Sequence, residues 1–220
     1  MGRKVVLKQN QKEFGSNEGN VGQRKPLTIN QVKLIKEFLF QRETLIAKRD
    51  LALFSTAIDT MLRSVDLLKL KVSDLVDGDG NLKDLIEIKQ KKTSKTVVVE
   101  ISESTQEYLA TWIEDSEKGI NDYLWTGFNR NLTPAANKPI TRMTYGTILK
   151  GWVSEILGID PSDYNTHSLR RTKASLVYEK TQNIEVVRQL LGQSSVAATS
   201  AYLNIGRKDA LRVARQVISL

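Results

Sequence analysis

The sequence predicts an α+β fold that is mainly helical and carries a small three-stranded antiparallel sheet. Two observations predict it. Apolar residues recur at helical spacing in most segments, and several of these segments start with a Ser or Thr suited to cap a helix. Two short runs of a different kind, 85–89 and 96–101, are rich in β-branched residues and flank a polar turn.

The first folded segments are predicted to be helices. Thr28 and Gln31 fit a capping box, in which each side chain bonds the backbone N–H of the other, so a helix is expected from there. The apolar residues of 44–62 form a wide face, which predicts a second, largely buried helix. Ser64 is expected to cap a short third helix, which leaves Arg63 at the corner between two helices.

Three strands are expected next, over 74–76, 85–89 and 96–101. The last two flank the turn sequence QKKTSK at 90–95, so they predict an antiparallel hairpin with a lysine-rich tip. The sheet would therefore present several cations at one end.

The second half of the chain alternates helices with shorter segments. A helix over 102–117 is expected to turn Leu109 and Ile113 inward and Trp112 partly so. The remaining expectations are a short buried strand over 123–126, a loop over 129–138, a helix over 141–157 that Gly158 ends, and a helical stripe over 207–218.

Composition restricts the classes of function. The formal net charge of +8 favours a polyanionic partner, most simply nucleic acid. Cysteine is absent and His167 is the only histidine, so neither disulfides nor a multi-histidine metal site are expected. No apolar run approaches the roughly 20 residues that cross a bilayer, and the N-terminus lacks a signal-peptide core, so no membrane partner and a cytoplasmic location are expected.

The residues with the clearest chemical pattern lie between 165 and 206. His167 stands three residues before Arg170, so both side chains share one helix face and can bind a phosphate. Gln193 ends the turn sequence LLGQ, and Tyr202 follows with a phenol that can attack what the arginine holds. Taken singly, such residues are usually solvated or lie at the edge of a core. Their joint spacing is what indicates a site.

This pattern, H-x-x-R, then LLGQSS, then a tyrosine, resembles the C-terminal signature of the tyrosine recombinases, the phage integrase family. The resemblance implies two more site residues. The segment LRSVD resembles the box that carries the family's first catalytic arginine, here Arg63, followed by the acidic Asp66. The family's hairpin delivers a lysine to the scissile phosphate, and Lys92 matches that lysine best, with Lys91 and Lys95 as alternatives.

The resemblance also implies a reaction, namely site-specific recombination of DNA through a 3′-phosphotyrosine intermediate on Tyr202. Arg63 and Arg170 would hold the phosphate oxygens with their guanidinium forks. Many phosphoryl-transfer enzymes use carboxylate-bound metal ions instead, and no metal or other cofactor is expected here. His167 would accept or relay a proton, and Lys92 would protonate the departing 5′ oxygen.

Gln193 departs from the family pattern, which usually has His or Trp at this position. Its amide cannot exchange protons at neutral pH but can donate a hydrogen bond, so reduced rather than abolished activity is expected. A catalytically impaired DNA-binding regulator with the same fold is therefore one alternative. Relaxation of supercoils, as by type IB topoisomerases, is another.

Two regions are expected, a flexible basic arm over 1–25 and a recombinase-like catalytic domain over 26–220. The arm is too short to form the N-terminal DNA-binding domain that recombinases commonly carry, so the chain resembles either an isolated catalytic fragment or the short members with a catalytic domain alone. The expected partner is double-stranded DNA bound by a homo-oligomer, a tetramer, in a bacterium or phage, with nucleoid association when DNA is bound. The stripe at 207–218 would pack on its own domain or dock on a neighbouring protomer.

Overall fold

The structure is a computed structural model that describes residues 24–203. The arm up to residue 23 and the stripe at 207–218 lie outside the described residues. The helices are α1 (Ile29–Phe40), α2 (Leu45–Thr60), α3 (Ser64–Leu67), α4 (Val72–Leu75), α5 (Glu103–Asp115), α6 (Arg142–Gly151), α7 (Thr166–Thr181), α8 (Ile184–Leu190) and α9 (Val196–Leu203). The strands are β1 (Leu85–Lys89), β2 (Thr96–Glu100), β3 (Thr126–Phe128) and β4 (Pro134–Pro139).

The predicted class, an α+β fold that is mainly helical with a small antiparallel sheet, is confirmed. Helix α1 begins as expected, because Thr28 and Gln31 form the capping box. Helix α2 ends at Thr60 rather than at residue 62, since Met61 takes a left-handed conformation with φ of 49°. Arg63, and not Ser64, is the capping residue of α3, and its carbonyl accepts the first bonds of that helix.

Helix α2 lies at the centre of the main core, and most of its residues are buried. It packs against α1, α5 and α7. Trp112 of α5 is fully buried, although the sequence predicted partial burial, because its indole N–H donates to the carbonyl of Leu124. Burying a large aromatic ring is favourable when its polar atom has a partner.

Strands β1 and β2 form the expected hairpin in the register Leu85↔Glu100 to Lys89↔Thr96. The prediction of a third strand at 74–76 is wrong, because Val72 and Leu75 are buried one helical turn apart in α4. The Asp74 carboxylate accepts from the Lys71 N–H and stabilises the first turn of this helix. What remains of the third strand is a single antiparallel bridge that joins Val76 to Leu82.

The prediction of a loop over 129–138 is wrong, since β3 and β4 pair antiparallel with an irregular register and form a second hairpin. The buried segment expected at 123–126 begins with a bridge from Tyr123 to Lys71 and leads into β3. Helix α6 continues into a π-helical turn, Trp152–Ile156, and Gly158 with φ of +65° ends it as predicted. No helix within 24–203 is long and apolar enough to span a bilayer.

Candidate active site

His167 and Arg170 lie in the first turns of α7. Asn165 caps this helix, because its side chain accepts from the His167 N–H at 2.8 Å while its own N–H donates to Ser168 Oγ at 3.1 Å. The helix therefore begins at Thr166. The His167 side chain stays exposed, whereas Arg170 is only 3% exposed.

Arg170 joins two distant parts of the chain. Its Nη2 donates to the carbonyl of Leu191 at 2.8 Å, and its Nη1 donates to the carbonyl of Met61. Burial lowers its pKa to about 10, so the guanidinium remains charged at neutral pH. The left-handed turn at Met61 and the turn after α8 are thus held by one cation.

Arg63 lies two residues beyond Met61, at the corner between α2 and α3. Its Nη1 donates to Gln90 Oε1 at 2.6 Å, at the start of the turn of the β1–β2 hairpin. After burial, the Arg63 charge is one of the effects that lower the pKa of Arg170 and His167, and it opposes the effect of burial on the raised pKa of Tyr202.

Lys92 lies at the exposed tip of the hairpin. The tip is fixed on one side by Asp66 of α3, whose Oδ1 accepts from the Lys91 N–H at 2.8 Å. The Lys92 charge is one of those that lower the pKa of His167, after burial, Arg170 and Arg63.

The turn after α8 packs directly against the hairpin. Gly192 has a φ of +61°, and a Cβ placed there would lie 2.5 Å from Val97 Cγ1. A side chain at this position would be excluded by both backbone strain and contact. The next residue, Gln193, has its Oε1 2.6 Å from Thr199 Oγ1, so its amide nitrogen is oriented away from α9.

Tyr202 lies on α9, the last described helix. Its hydroxyl is buried, and no atom of residues 24–203 bonds it with normal geometry. Burial raises its pKa to about 12, and the charges of Arg170, Arg171 and Arg63 act in the opposite direction. The Arg171 guanidinium lies 5.6 Å from the centre of the ring. Tyr202 is therefore a neutral phenol at pH 7, and positively charged side chains lie near it.

His167 is surrounded by the same cations. Partial burial and the charges of Arg170, Arg63, Lys92 and Arg171, in that order, lower its pKa. The imidazole is therefore neutral at pH 7 and can accept a proton. The charges of three guanidinium groups, those of Arg63, Arg170 and Arg171, thus act on both the imidazole and the phenol.

Sequence reasoning missed two residues of this cluster and gave no role to a third. Gln90 was read only as part of a polar turn, and its partner Arg63 lies 27 positions away. Arg171 was overlooked, although it directly follows Arg170. Asp66 was noted for its spacing alone; its buried carboxylate fixes the hairpin backbone.

Comparison with known proteins places this cluster in a family. The model of the phage integrase family matches residues 25–208, which is most of the chain. The chain belongs to the phage integrase family. The family therefore covers every candidate residue of the site, from the corner after α2 to α9.

The chain is similar to several bacterial recombinases. It is 27% identical over 190 residues to the probable integrase/recombinase YoeC of Bacillus subtilis, covering 86% of this chain and 93% of that protein. It is 25% identical to the tyrosine recombinase XerD of Rickettsia prowazekii, covering 81% of this chain but 58% of XerD. The chain thus spans a little over half of this longer relative.

Solved recombinase structures share the fold. XerH recombinase bound to palindromic difH in a post-cleavage complex has a TM-score of 0.67 at 20% identity, covering 87% of this chain and 52% of XerH. XerA recombinase has a TM-score of 0.64 at 22% identity, covering 88% of this chain and 65% of XerA. These likenesses confirm the catalytic-domain architecture that the phage integrase resemblance implied.

Proposed function

We propose that this protein is a site-specific DNA recombinase in which Tyr202 cleaves a DNA strand. The Tyr202 oxygen bonds to a backbone phosphorus as the bond from phosphorus to the 5′ oxygen breaks, which leaves a 3′-phosphotyrosine and a free 5′ hydroxyl. The observation that carries the proposal is the buried Tyr202 hydroxyl, which has no hydrogen-bond partner within 24–203 and whose ring lies 5.6 Å from the Arg171 guanidinium, next to Arg170, which bonds the turns before Arg63 and Gln193.

Arg63 and Arg170 act on the phosphate. Negative charge grows on the two nonbridging oxygens during attack, and fixed cations placed there stabilise the transition state more than the ground state. Arg170 is oriented by two backbone carbonyls and Arg63 by Gln90. Groups held in this way lose little freedom when the phosphate binds, so the clamp is preorganised.

His167 and Lys92 transfer the protons of the reaction, as general base and general acid. Neutral His167 accepts the phenolic proton directly or through water, because the raised pKa of Tyr202 keeps the phenol protonated at neutral pH. Lys92 gives a proton to the departing 5′ oxygen. Lys91 suits this role less well, since its backbone N–H is bonded to Asp66.

Gln193 supplies a hydrogen bond rather than a proton. With its oxygen bonded to Thr199, its amide N–H groups remain as donors for a phosphate oxygen. A donor in this position is worth less than an imidazolium, so slow cleavage is expected. The reverse reaction uses a 5′ hydroxyl of another strand, and the exchange of strands between two duplexes would require a homo-oligomer, which we propose to be a tetramer.

A nicked duplex that loses a short 5′ fragment on cleavage tests this proposal, since the reaction cannot reverse. The unaltered protein should form a covalent adduct that withstands denaturation, and Tyr202→Phe should form none. Tyr178→Phe, on the helix that carries His167, is the matched control and should form the adduct normally. An adduct that persists in Tyr202→Phe would refute the nucleophile.

A second candidate function is DNA binding without cleavage, which the amide at Gln193 favours. This candidate expects binding that weakens steeply with salt and no adduct with any substrate. Gln193→His separates the two, because a slow enzyme should cleave faster with the imidazole, whereas a binding protein should still form no adduct.

A further inference from the structure

Gln90 is a buried polar residue outside the set of candidate catalytic groups. It directly follows β1 and is 1% exposed. Its backbone closes the hairpin turn, since its N–H donates to the Lys95 carbonyl at 2.8 Å and its carbonyl accepts from the Ser94 N–H at 2.9 Å. A buried amide side chain is stable only if its oxygen and nitrogen find partners.

The Gln90 side chain connects three segments of the site. Its Oε1 accepts from Arg63 Nη1 at 2.6 Å and from Thr93 Oγ1 at 2.9 Å. Its Nε2 lies 3.2 Å from the position that a Cβ on Gly192 would occupy, so the turn before Gln193 packs on the same amide. One residue therefore touches the corner after α2, the lysine turn and the turn after α8.

We propose that Gln90 is a positioning residue for DNA cleavage, which aims Arg63 at the phosphate and holds the turn of Lys92 beside it. The proposal rests on the proposed function. A guanidinium has five N–H groups, so one bond to Gln90 leaves others for the phosphate. A neutral amide fixes the fork without neutralising it, whereas a carboxylate would compete with the phosphate for the same charge.

Gln90→Met keeps the length of the side chain and removes the acceptor oxygen. Single-turnover cleavage should slow about 10- to 100-fold, the range for a lost hydrogen bond to a charged group, while the affinity for DNA changes less than about twofold. Thr93→Val removes the other donor to the same oxygen and should slow cleavage a few fold. Thr96→Val, on the exposed face of the same hairpin, is the matched control and should cleave normally.

A double-mutant cycle separates positioning from general damage to the fold. If Gln90 acts through Arg63, Gln90→Met should slow cleavage by much less in an Arg63→Lys background than in the unaltered protein. Cleavage at the normal rate in Gln90→Met, or equal losses in both backgrounds, would overturn the proposal.

A crystal structure of Gln90→Met gives a readout that does not depend on activity. The Arg63 guanidinium should leave its present place, and an unmoved guanidinium would overturn the positioning role. Absence of an adduct from the unaltered protein would instead count against the proposed function, and the position of Arg63 in this variant would still decide what Gln90 does.

Discussion

The two sides of the site are supported differently. Arg63 follows α2, of whose 16 residues twelve are buried and six belong to the main core. Tyr202 lies on α9, where Thr199 is the one buried residue and the supporting cluster consists of four buried side chains, Met61, Ala174, Val187 and Leu191. The groups that would bind the phosphate thus adjoin a well-packed helix, and the proposed nucleophile stands on a lightly packed one.

This difference suggests that the two regions have different roles in the proposed reaction. Electrostatic stabilisation needs fixed charges, because every reorientation costs energy at the moment of reaction. A nucleophile that attaches to DNA and later leaves it must instead move, and elements that move belong to the less stable parts of a fold. Arg170 connects the two regions, since it bonds the end of α2 and the turn before α9.

Arg170→Ala should have the largest effect, because Arg170 connects the two regions. Cleavage should fall about 10³-fold, as for the loss of a preorganised donor to a developing oxyanion, and the carbonyls of Met61 and Leu191 would lose a charged partner. Single-turnover cleavage and thermal unfolding measure both effects. Arg142→Ala, which removes an exposed arginine at the start of α6, is the control. Activity within a few fold of normal in Arg170→Ala would exclude a catalytic role.

Lys92→Ala should slow cleavage about 10²-fold, within the range for loss of a general acid. The Lys92→Ala variant should cleave a substrate whose leaving oxygen is replaced by sulfur almost normally, because a thiolate departs without a proton. Lys91→Ala and Lys95→Ala should change the rate little. Should one of these variants show the larger defect and the rescue by sulfur, the general acid would be that lysine.

Acid should slow cleavage by about tenfold per pH unit once His167 is protonated. Because partial burial and the surrounding cations lower the pKa of His167, this decline should begin below pH 6.5. The buried phenol has a pKa raised to about 12, so its own ionisation should not appear near neutrality. His167→Gln should cleave slowly with no decline between pH 5 and 7, and an unchanged profile would exclude His167 as the base.

Val187→Ala should have the smallest effect and should act on one of the two regions alone. A cavity in the small cluster should speed amide exchange in α8 and α9 about tenfold, roughly 1.4 kcal/mol, and leave α2 unchanged. Leu53→Ala in the main core should lower the stability of the whole domain instead. Equal effects of both substitutions on all helices would show that the two regions unfold together.

Local signals in the sequence predicted much of the fold. The capping box at Thr28 and the strand over 85–89 were read correctly because each depends on residues close in the chain. The helix at Val72–Leu75 was missed because a short apolar run fits either period, and the Asp74 bond decides between them.

The site was less accessible to sequence reasoning where it depends on distant contacts. The spacing of His167, Arg170 and Tyr202 is visible in the chain, but the bond that orients Arg63 comes from Gln90 across the hairpin. The close approach of Gly192 to Val97 is likewise set by packing. Contacts between segments far apart leave no period or spacing in a single sequence.

The chain just before α1 is bonded to α7 close to Tyr202. Arg171 donates to the Arg24 carbonyl at 2.8 Å while its guanidinium lies over the Tyr202 ring, and the Leu27 N–H bonds Thr172 of the same helix. A fusion partner joined directly to residue 24 would consequently start beside the proposed nucleophile, so the linker used in any engineered version is itself a variable of the assay.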